Sequence, residues 1–65
     1  MMSMVEFDKV WNINTIEDYE HAMKVLDDNE FCADMSDDWW RAGQEKAEIR
    51  RQRRAVLAQA AKFNA

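Results

Sequence analysis

The sequence has no proline, one glycine and one cysteine, and each scarcity excludes a class of structure. The dipeptides that usually form tight hairpin turns are missing, so a sheet of short strands joined by hairpins is not expected. Gly43 alone cannot form a glycine-rich phosphate-binding loop. Cys32 has no second cysteine for an intrachain disulfide, and a lone thiol suits a reducing compartment. These absences favour an all-α protein.

Side chains for catalysis and metal binding are equally scarce. His21 is the only histidine and stands eleven positions before Cys32, so the two lack the spacing of metal ligands. No nucleophile or second base accompanies His21, and the acidic residues around Cys32 disfavour a reactive thiolate. We expect no catalytic, metal-binding or cofactor-binding residue, and therefore no enzyme activity.

Long apolar segments are also missing. No stretch approaches the roughly 18 apolar residues of a membrane-spanning helix. The N-terminal residues Met1 to Glu6 lack the basic and apolar regions of a signal peptide. We therefore expect the chain to stay in the cytoplasm where it is made, without contact to a membrane.

The composition that is present predicts a folded domain that needs a partner. The 65 residues are 48 % apolar, which excludes a disordered chain and predicts a single helical domain over residues 1–65. A single core of this size rarely supplies more than about 3–5 kcal/mol, and such chains usually depend on disulfides, a metal or a partner chain. Because disulfides and a metal are not expected, a homodimer is.

Residues 1–13 are ambiguous. Their apolar residues alternate with polar ones, as in a strand, while Ser3 and Glu6 have the spacing that begins a helix. A lone strand is not stable without pairing. The segment is expected to be an N-terminal arm or a short helix that packs Phe7 and Trp11 against another element.

Residues 15–28 are expected to form the first helix. Thr15 and Asp18 have the spacing of a capping box. Four apolar residues then recur at helical spacing on one side: Ile16, Tyr19, Met23 and Leu26. Acidic residues are unfavourable at a helix C-terminus, so Asp27 and Asp28 are predicted to end this helix before a short connection.

Residues 37–63 are expected to form a long second helix, capped by Ser36. One side carries a row of mostly apolar residues at alternating spacings of three and four: Trp39, Ala42, Lys46, Ile49, Arg53, Val56, Ala60 and Phe63. At 1.5 Å per residue this helix is about 40 Å long and the first helix only about 21 Å, so one short helix cannot cover the row.

The predicted architecture is therefore a helical hairpin, a short helix plus a long helix, that forms an intertwined homodimer. Ten residues are predicted to form its core and dimer contacts: Ile16, Tyr19, Met23, Leu26, Trp39, Trp40, Ile49, Val56, Leu57 and Phe63.

Charge divides the chain into an acidic and a basic part. Residues 1–38 have a net charge of −9 and residues 39–65 have a net charge of +5. The basic part contains a cluster of four arginines, which we call the arginine cluster: Arg50, Arg51, Arg53 and Arg54. These side chains are predicted to pair with acidic residues of the first helix, in the same chain or in its partner. Two alternatives stay open, namely binding of nucleic-acid phosphates and binding of another acidic protein.

The order of these features resembles the small helical proteins encoded in the exo–xis region of lambdoid bacteriophages. The resemblance covers about three quarters of the chain and rests on residues 14–21, residues 37–41 and the arginine cluster. It implies an early, non-essential phage protein that acts through host partners on prophage induction and on the choice between lysogeny and lysis. The resemblance implies no catalytic residue.

The sequence thus predicts a non-enzymatic accessory regulator of the phage type, which acts by protein–protein contact in the bacterial host cytoplasm. Its expected partners are a second copy of itself and a host or phage protein. The alternative function is a small nucleic-acid-binding regulator that uses the arginine cluster.

Overall fold

The computed structural model describes residues 5–64, which form two α-helices and a short 3₁₀ turn. Helix α1 spans Ile16–Asp34, helix α2 spans Trp39–Ala60, and the 3₁₀ turn spans Ala61–Asn64. The described residues contain no strand, so the predicted all-helical class is confirmed. The two helices are consistent with the predicted hairpin, but with 19 and 22 residues they are similar in length rather than one short and one long. The parts of the predicted domain that fall on residues 1–4 and 65 lie outside the described residues. Within the described part, neither helix has the length and apolar character needed to cross a bilayer.

Helix α1 begins where the sequence predicted. The hydroxyl of Thr15 accepts a hydrogen bond from the backbone N–H of Asp18 at 3.1 Å, and the carboxylate of Asp18 accepts one from the N–H of Thr15 at 3.2 Å. This reciprocal capping box satisfies two donors that the first turn would otherwise leave unpaired. The acidic side chains of Glu17 and Asp18 also lie in the first turn, where the helix dipole favours negative charge.

The predicted end of α1 at residue 28 is wrong, because the helix continues to Asp34. Ala33 lies two turns after Leu26 on the same buried side, so packing extends beyond the acidic residues. Glu30 and Asp34 form ion pairs with Arg53 and Lys46 of α2. These tertiary pairs offset the unfavourable placement of acidic side chains near a helix C-terminus.

Helix α2 begins two residues later than predicted, and Asp38 rather than Ser36 is its N-cap. The carboxylate of Asp38 accepts a hydrogen bond from the backbone N–H of Arg41 at 3.1 Å. The hydroxyl of Ser36 instead accepts from the N–H of Asp38 at 3.2 Å, within the connection. The helix ends at Ala60, so Phe63, which was predicted to be helical, lies in the 3₁₀ turn.

The described part of the N-terminal segment is an extended arm without helix, which excludes the short-helix alternative for residues 5–14. Asp8 has φ 62°, a left-handed conformation that aspartate tolerates better than most residues, and it turns the arm. Trp11 is half-buried against the core, as expected. Phe7 is 53 % exposed, so the prediction that it packs on another element is wrong.

The core lies between the arm and the two helices. Its fully buried members come from all three elements: Ile13, Ala22, Leu26, Ile49 and Val56. Five half-buried residues pack around them: Val5, Trp11, Tyr19, Met23 and Phe63. Among the described residues, no buried side-chain nitrogen or oxygen lacks a hydrogen-bond partner. The arm and α1 therefore cover, within one chain, most of the apolar row of α2 that was predicted to need a second chain, although Trp39 at its start stays exposed.

The ten residues predicted for the core and dimer contacts divide into two groups. Six are buried or half-buried within the chain: Tyr19, Met23, Leu26, Ile49, Val56 and Phe63. The other four are exposed and do not belong to the chain's own core: Ile16, Trp39, Trp40 and Leu57. As core residues of the single chain these four are therefore wrong, whereas their predicted contact with a second chain stays a prediction.

Candidate interaction surface

The arginine cluster is divided by the fold, and Arg53 faces α1. Its guanidinium donates to Asp27 Oδ1 at 2.7 Å and to Glu30 Oε1 at 3.1 Å. The side chain of Arg53 is only 23 % exposed, so it is partly withdrawn from solvent between the two helices. Arg53 therefore pairs with the acidic first helix within the same chain, as the sequence predicted.

Arg51 points to the opposite side of α2, toward the N-terminal arm. Its Nε donates to Glu48 Oε1 at 3.0 Å, and its Nη2 lies 3.6 Å from Asp8 Oδ1. A second hydrogen bond joins its Nη2 to Glu48 Oε2. Arg51 therefore binds both oxygens of the buried Glu48 carboxylate and lies beside Asp8 of the arm, so its charge is already paired.

Arg50 and Arg54 differ from their neighbours in the cluster. Both side chains are exposed, and neither forms an ion pair with a described residue. They are four residues apart, so they lie one helical turn from each other on the same side of α2. Of the four predicted partner-binding arginines, these two remain available to a partner.

An exposed aromatic pair lies at the start of the same helix. Trp39 is 80 % exposed and Trp40 is 64 % exposed. Their ring centroids are 6.2 Å apart with an interplanar angle of 89°, which is an edge-to-face arrangement. The two rings border a shallow, open groove whose remaining wall is formed by Gly43, Gln44 and Ala47. Tryptophan and arginine are the residue types most enriched at energetically important positions of protein interfaces.

A second shallow groove lies at the other end of the hairpin, where α1 begins and α2 ends. Five of the residues in the described part of the chain line it, and none of the five is charged: Ile16, Tyr19, Leu57, Ala60 and Phe63. We call this the end groove. Ile16 is 57 % exposed and Leu57 is 47 % exposed, although both were predicted to be covered.

A row of polar side chains on α2 holds the arm, and sequence reasoning missed it. The indole N–H of Trp11 donates to Gln52 Oε1 at 2.9 Å, and Gln52 Nε2 donates to the backbone carbonyl of Glu6 at 2.8 Å. Gln59 similarly accepts from the backbone N–H of Ile13 at 2.9 Å and donates to the carbonyl of Trp11 at 2.6 Å. These side chains replace the strand partner that an extended segment otherwise requires.

Glu48 completes this row, and its hydrogen bonds lower its pKa. Its Oε2 accepts from the backbone N–H of Asp8 at 2.8 Å and from Gln52 Nε2 at 2.9 Å. The hydrogen bonds from Arg51, supported by those from Gln52 and Asp8, lower the pKa of Glu48 to about 2, although burial opposes the shift. The same contact raises the pKa of Arg51 above its usual range.

Acid is therefore expected to loosen the arm. Because the folded-state pKa of Glu48 lies below its ordinary value of 4.5, its contribution to stability is complete above about pH 4.5 and is lost as pH falls toward 2. In Glu48→Gln, an amide N–H₂ replaces one carboxylate oxygen. It then faces N–H donors from which it cannot accept a hydrogen bond. We expect this variant to be about 1.5–3 kcal/mol less stable than the parent near pH 7. Urea unfolding of both proteins across this pH range measures the difference in their free energies of unfolding, which should disappear in acid. A difference that does not change with pH would contradict the lowered pKa of Glu48.

A paired and an unpaired arginine are expected to differ in their effect on stability. Arg53→Gln removes two ion pairs and should lower the free energy of unfolding by about 0.5–1 kcal/mol. Arg54→Gln should change it by less than about 0.5 kcal/mol. Equilibrium unfolding at low and high salt provides the comparison. Salt screens the ion pairs of the parent, so the difference in free energy of unfolding between the parent and Arg53→Gln should become smaller at high salt. Equal effects of the two substitutions would show that the pairing of Arg53 contributes nothing.

The remaining reactive side chains are separated. His21 is exposed on α1, with its ring edge-to-face to Trp11 at 6.3 Å, and Cys32 is half-buried with a free thiol. Within residues 5–64, no three His, Cys, Asp or Glu side chains are grouped so that they could hold a metal ion.

No protein-family model, curated protein or solved structure matches this chain.

Proposed function

We propose that this chain is a non-enzymatic accessory regulator of the phage type, which acts by protein–protein contact in the bacterial host cytoplasm. The observation that carries the proposal is the exposure of Trp39 and Trp40 on a helix whose opposite side already packs against a complete core. Solvent exposure of two adjacent large aromatic rings is unfavourable unless another molecule covers them. The resemblance to phage proteins of the exo–xis region supplies the regulatory context.

The regulatory role can be tested in a lysogen of a lambdoid phage. Expression of the chain is expected to change the frequency of prophage induction, and Trp39→Ala/Trp40→Ala is expected to abolish that effect while the protein remains folded. A matched control is Phe31→Ala, which removes a side chain that is 66 % exposed on the other helix. An unchanged induction frequency with the parent protein would contradict the proposed role.

The proposal includes a homodimer formed through the end groove. Because none of the described side chains that line this groove is charged, a second copy can pack the same patch against itself without like-charge repulsion between them. Sedimentation should show concentration-dependent association that Leu57→Glu removes without unfolding, since Leu57 is 47 % exposed in the single chain. A parent protein that stays monomeric at high micromolar concentration would exclude the dimer.

A second candidate function is favoured by Arg50 and Arg54, which have no ion pair among the described residues. In this alternative, the chain is a small nucleic-acid-binding regulator whose free arginines contact phosphates. A gel-shift titration at several salt concentrations tests it, because each phosphate contact steepens the loss of affinity with salt. Two free arginines on a chain of net charge −4 make this candidate the weaker one.

A further inference from the structure

We propose that the exposed side of α2 binds an acidic helical segment of a different protein, with the tryptophans as apolar anchors and Arg50 and Arg54 as carboxylate partners. This inference rests on the proposed protein-binding function and names the chemistry of its partner. We define the outer face of α2 by seven exposed residues: Trp39, Trp40, Gly43, Gln44, Ala47, Arg50 and Arg54.

The outer face is continuous along the helix. Trp40, Ala47 and Arg54 are seven residues apart, and seven residues complete almost two turns, so the three lie in one row. Gly43 and Arg50 form a parallel row beside it at the same spacing. From Trp40 to Arg54 the face is about 21 Å long, which matches a partner helix of about four turns.

The charge of the outer face selects an acidic partner. Helix α2 contains two carboxylates, Glu45 and Glu48, and both are buried on its other sides with exposures of 3 % and 8 %. The exposed surface of α2 therefore presents arginines and no carboxylate, on a chain whose net charge is −4. Such a local excess of positive charge complements an acidic segment and opposes a basic one.

A second copy fits this face poorly. Two outer faces that pair antiparallel about the middle of α2 would place Arg50 opposite Arg50 of the partner subunit, because residue 50 lies at the midpoint of Trp39–Ala60. Like charges at such a position disfavour the pairing. Duplex nucleic acid is disfavoured by the seven acidic side chains that α1 places on the same small molecule.

The partner is expected to present large aliphatic or aromatic side chains that fill the groove between Trp39, Trp40 and Ala47. Its carboxylates should follow two to three turns further along, within reach of Arg50 and Arg54. This arrangement is the helix-in-groove mode of recognition, in which apolar anchors supply affinity and flanking charges supply orientation.

Selection from a library of random 16-residue peptides, displayed against the immobilised full-length chain, tests the inference. The enriched peptides should combine Asp or Glu with apolar residues at spacings of three, four and seven. Against Arg50→Glu/Arg54→Glu, the selection should enrich Lys or Arg in place of the acidic residues. The control Lys24→Glu/Lys62→Glu makes the same change in net charge away from the outer face, and should leave the enrichment as in the parent.

Affinity measurements on an enriched peptide complete the test. By fluorescence anisotropy, Trp39→Ala/Trp40→Ala and Arg50→Glu/Arg54→Glu should each weaken binding about tenfold or more. Enrichment of peptides without acidic residues, or no enrichment, would overturn the inference. The inference would also be overturned if the parent bound duplex DNA or self-associated, and if Arg50→Glu/Arg54→Glu abolished that binding while the control variant did not. None of these outcomes decides the dimer of the end groove, which sedimentation and Leu57→Glu test separately.

Discussion

Replacing Ile49 by alanine is expected to lower the free energy of unfolding by about 2–5 kcal/mol. Ile49 is fully buried and packs in the cluster that joins the arm, α1 and α2. Its truncation leaves a cavity that a core with so few members cannot easily close. Since a domain of this size rarely has more than about 3–5 kcal/mol to lose, much of the variant should be unfolded at room temperature.

Urea unfolding followed by circular dichroism measures this effect, with Leu57→Ala as the matched control. Leu57 lies on the same helix but is 47 % exposed in the single chain, so its truncation should cost less than about 1 kcal/mol at protein concentrations where the proposed end-groove dimer is dissociated. The loss caused by Ile49→Ala should not depend on protein concentration, because the side chain is covered within one chain. A concentration-dependent loss would show instead that Ile49 lies at a contact between two chains.

Whether Ile49 is covered by its own chain or by a second chain could not be predicted from the sequence of α2. The alternating spacing identified Ile49 and Val56 as buried, and both are. The spacing did not reveal what covers them, since a periodic row has the same appearance whether the neighbouring element belongs to the same chain or to another. The longer α1 and the arm provide that cover here.

The boundaries of α1 show the same division between local and tertiary signals. Its start depends on Thr15 and Asp18, which contact each other across three residues, so the sequence alone predicts it. Its end depends on Glu30 and Asp34, which pair with residues of α2. No local pattern discloses such pairs, and the acidic residues therefore predicted a helix end that does not occur.

The candidate interaction surface was predictable only in part. The residue types of Trp39, Trp40, Arg50 and Arg54 drew attention to them, but their exposure depends on which sides of α2 the arm and α1 occupy. The polar row of Glu48, Gln52 and Gln59 was not predicted, because spaced polar residues on a helix normally form a solvated side.

The arm should depend most strongly on Gln52. This side chain donates to the carbonyl of Glu6 at 2.8 Å and to Glu48 Oε2 at 2.9 Å, and it accepts from the indole of Trp11 at 2.9 Å. Gln52→Leu preserves most of its volume and removes all three hydrogen bonds. Each buried polar group left unpaired costs about 1–3 kcal/mol, so the total is expected to reach about 2–4 kcal/mol.

The loss of stability caused by Gln52→Leu has an upper limit, because the arm can detach from α2. If Trp11 and the backbone of Glu6 move into water, they recover hydrogen bonds, but the burial of Ile13 and Val5 against the core is lost. The variant should therefore either unfold at lower urea or keep its helices while the arm is released. Both results show that the polar row anchors the arm. They differ in whether the two helices stay folded once the arm is released.

Trp11 itself can report which of these results occurs. In a Trp39→Phe/Trp40→Phe background, where only exposed rings are changed, its fluorescence is the sole tryptophan signal. Release of the arm should shift this emission to longer wavelength in Gln52→Leu while circular dichroism stays helical, whereas global unfolding changes both together. The matched control is Gln44→Leu, an exposed glutamine of the same helix, which should change neither signal and alter stability by less than about 0.5 kcal/mol. If Gln52→Leu behaved like Gln44→Leu, the arm would be held by apolar contacts alone, and the hydrogen bonds from α2 would merely accompany its packing.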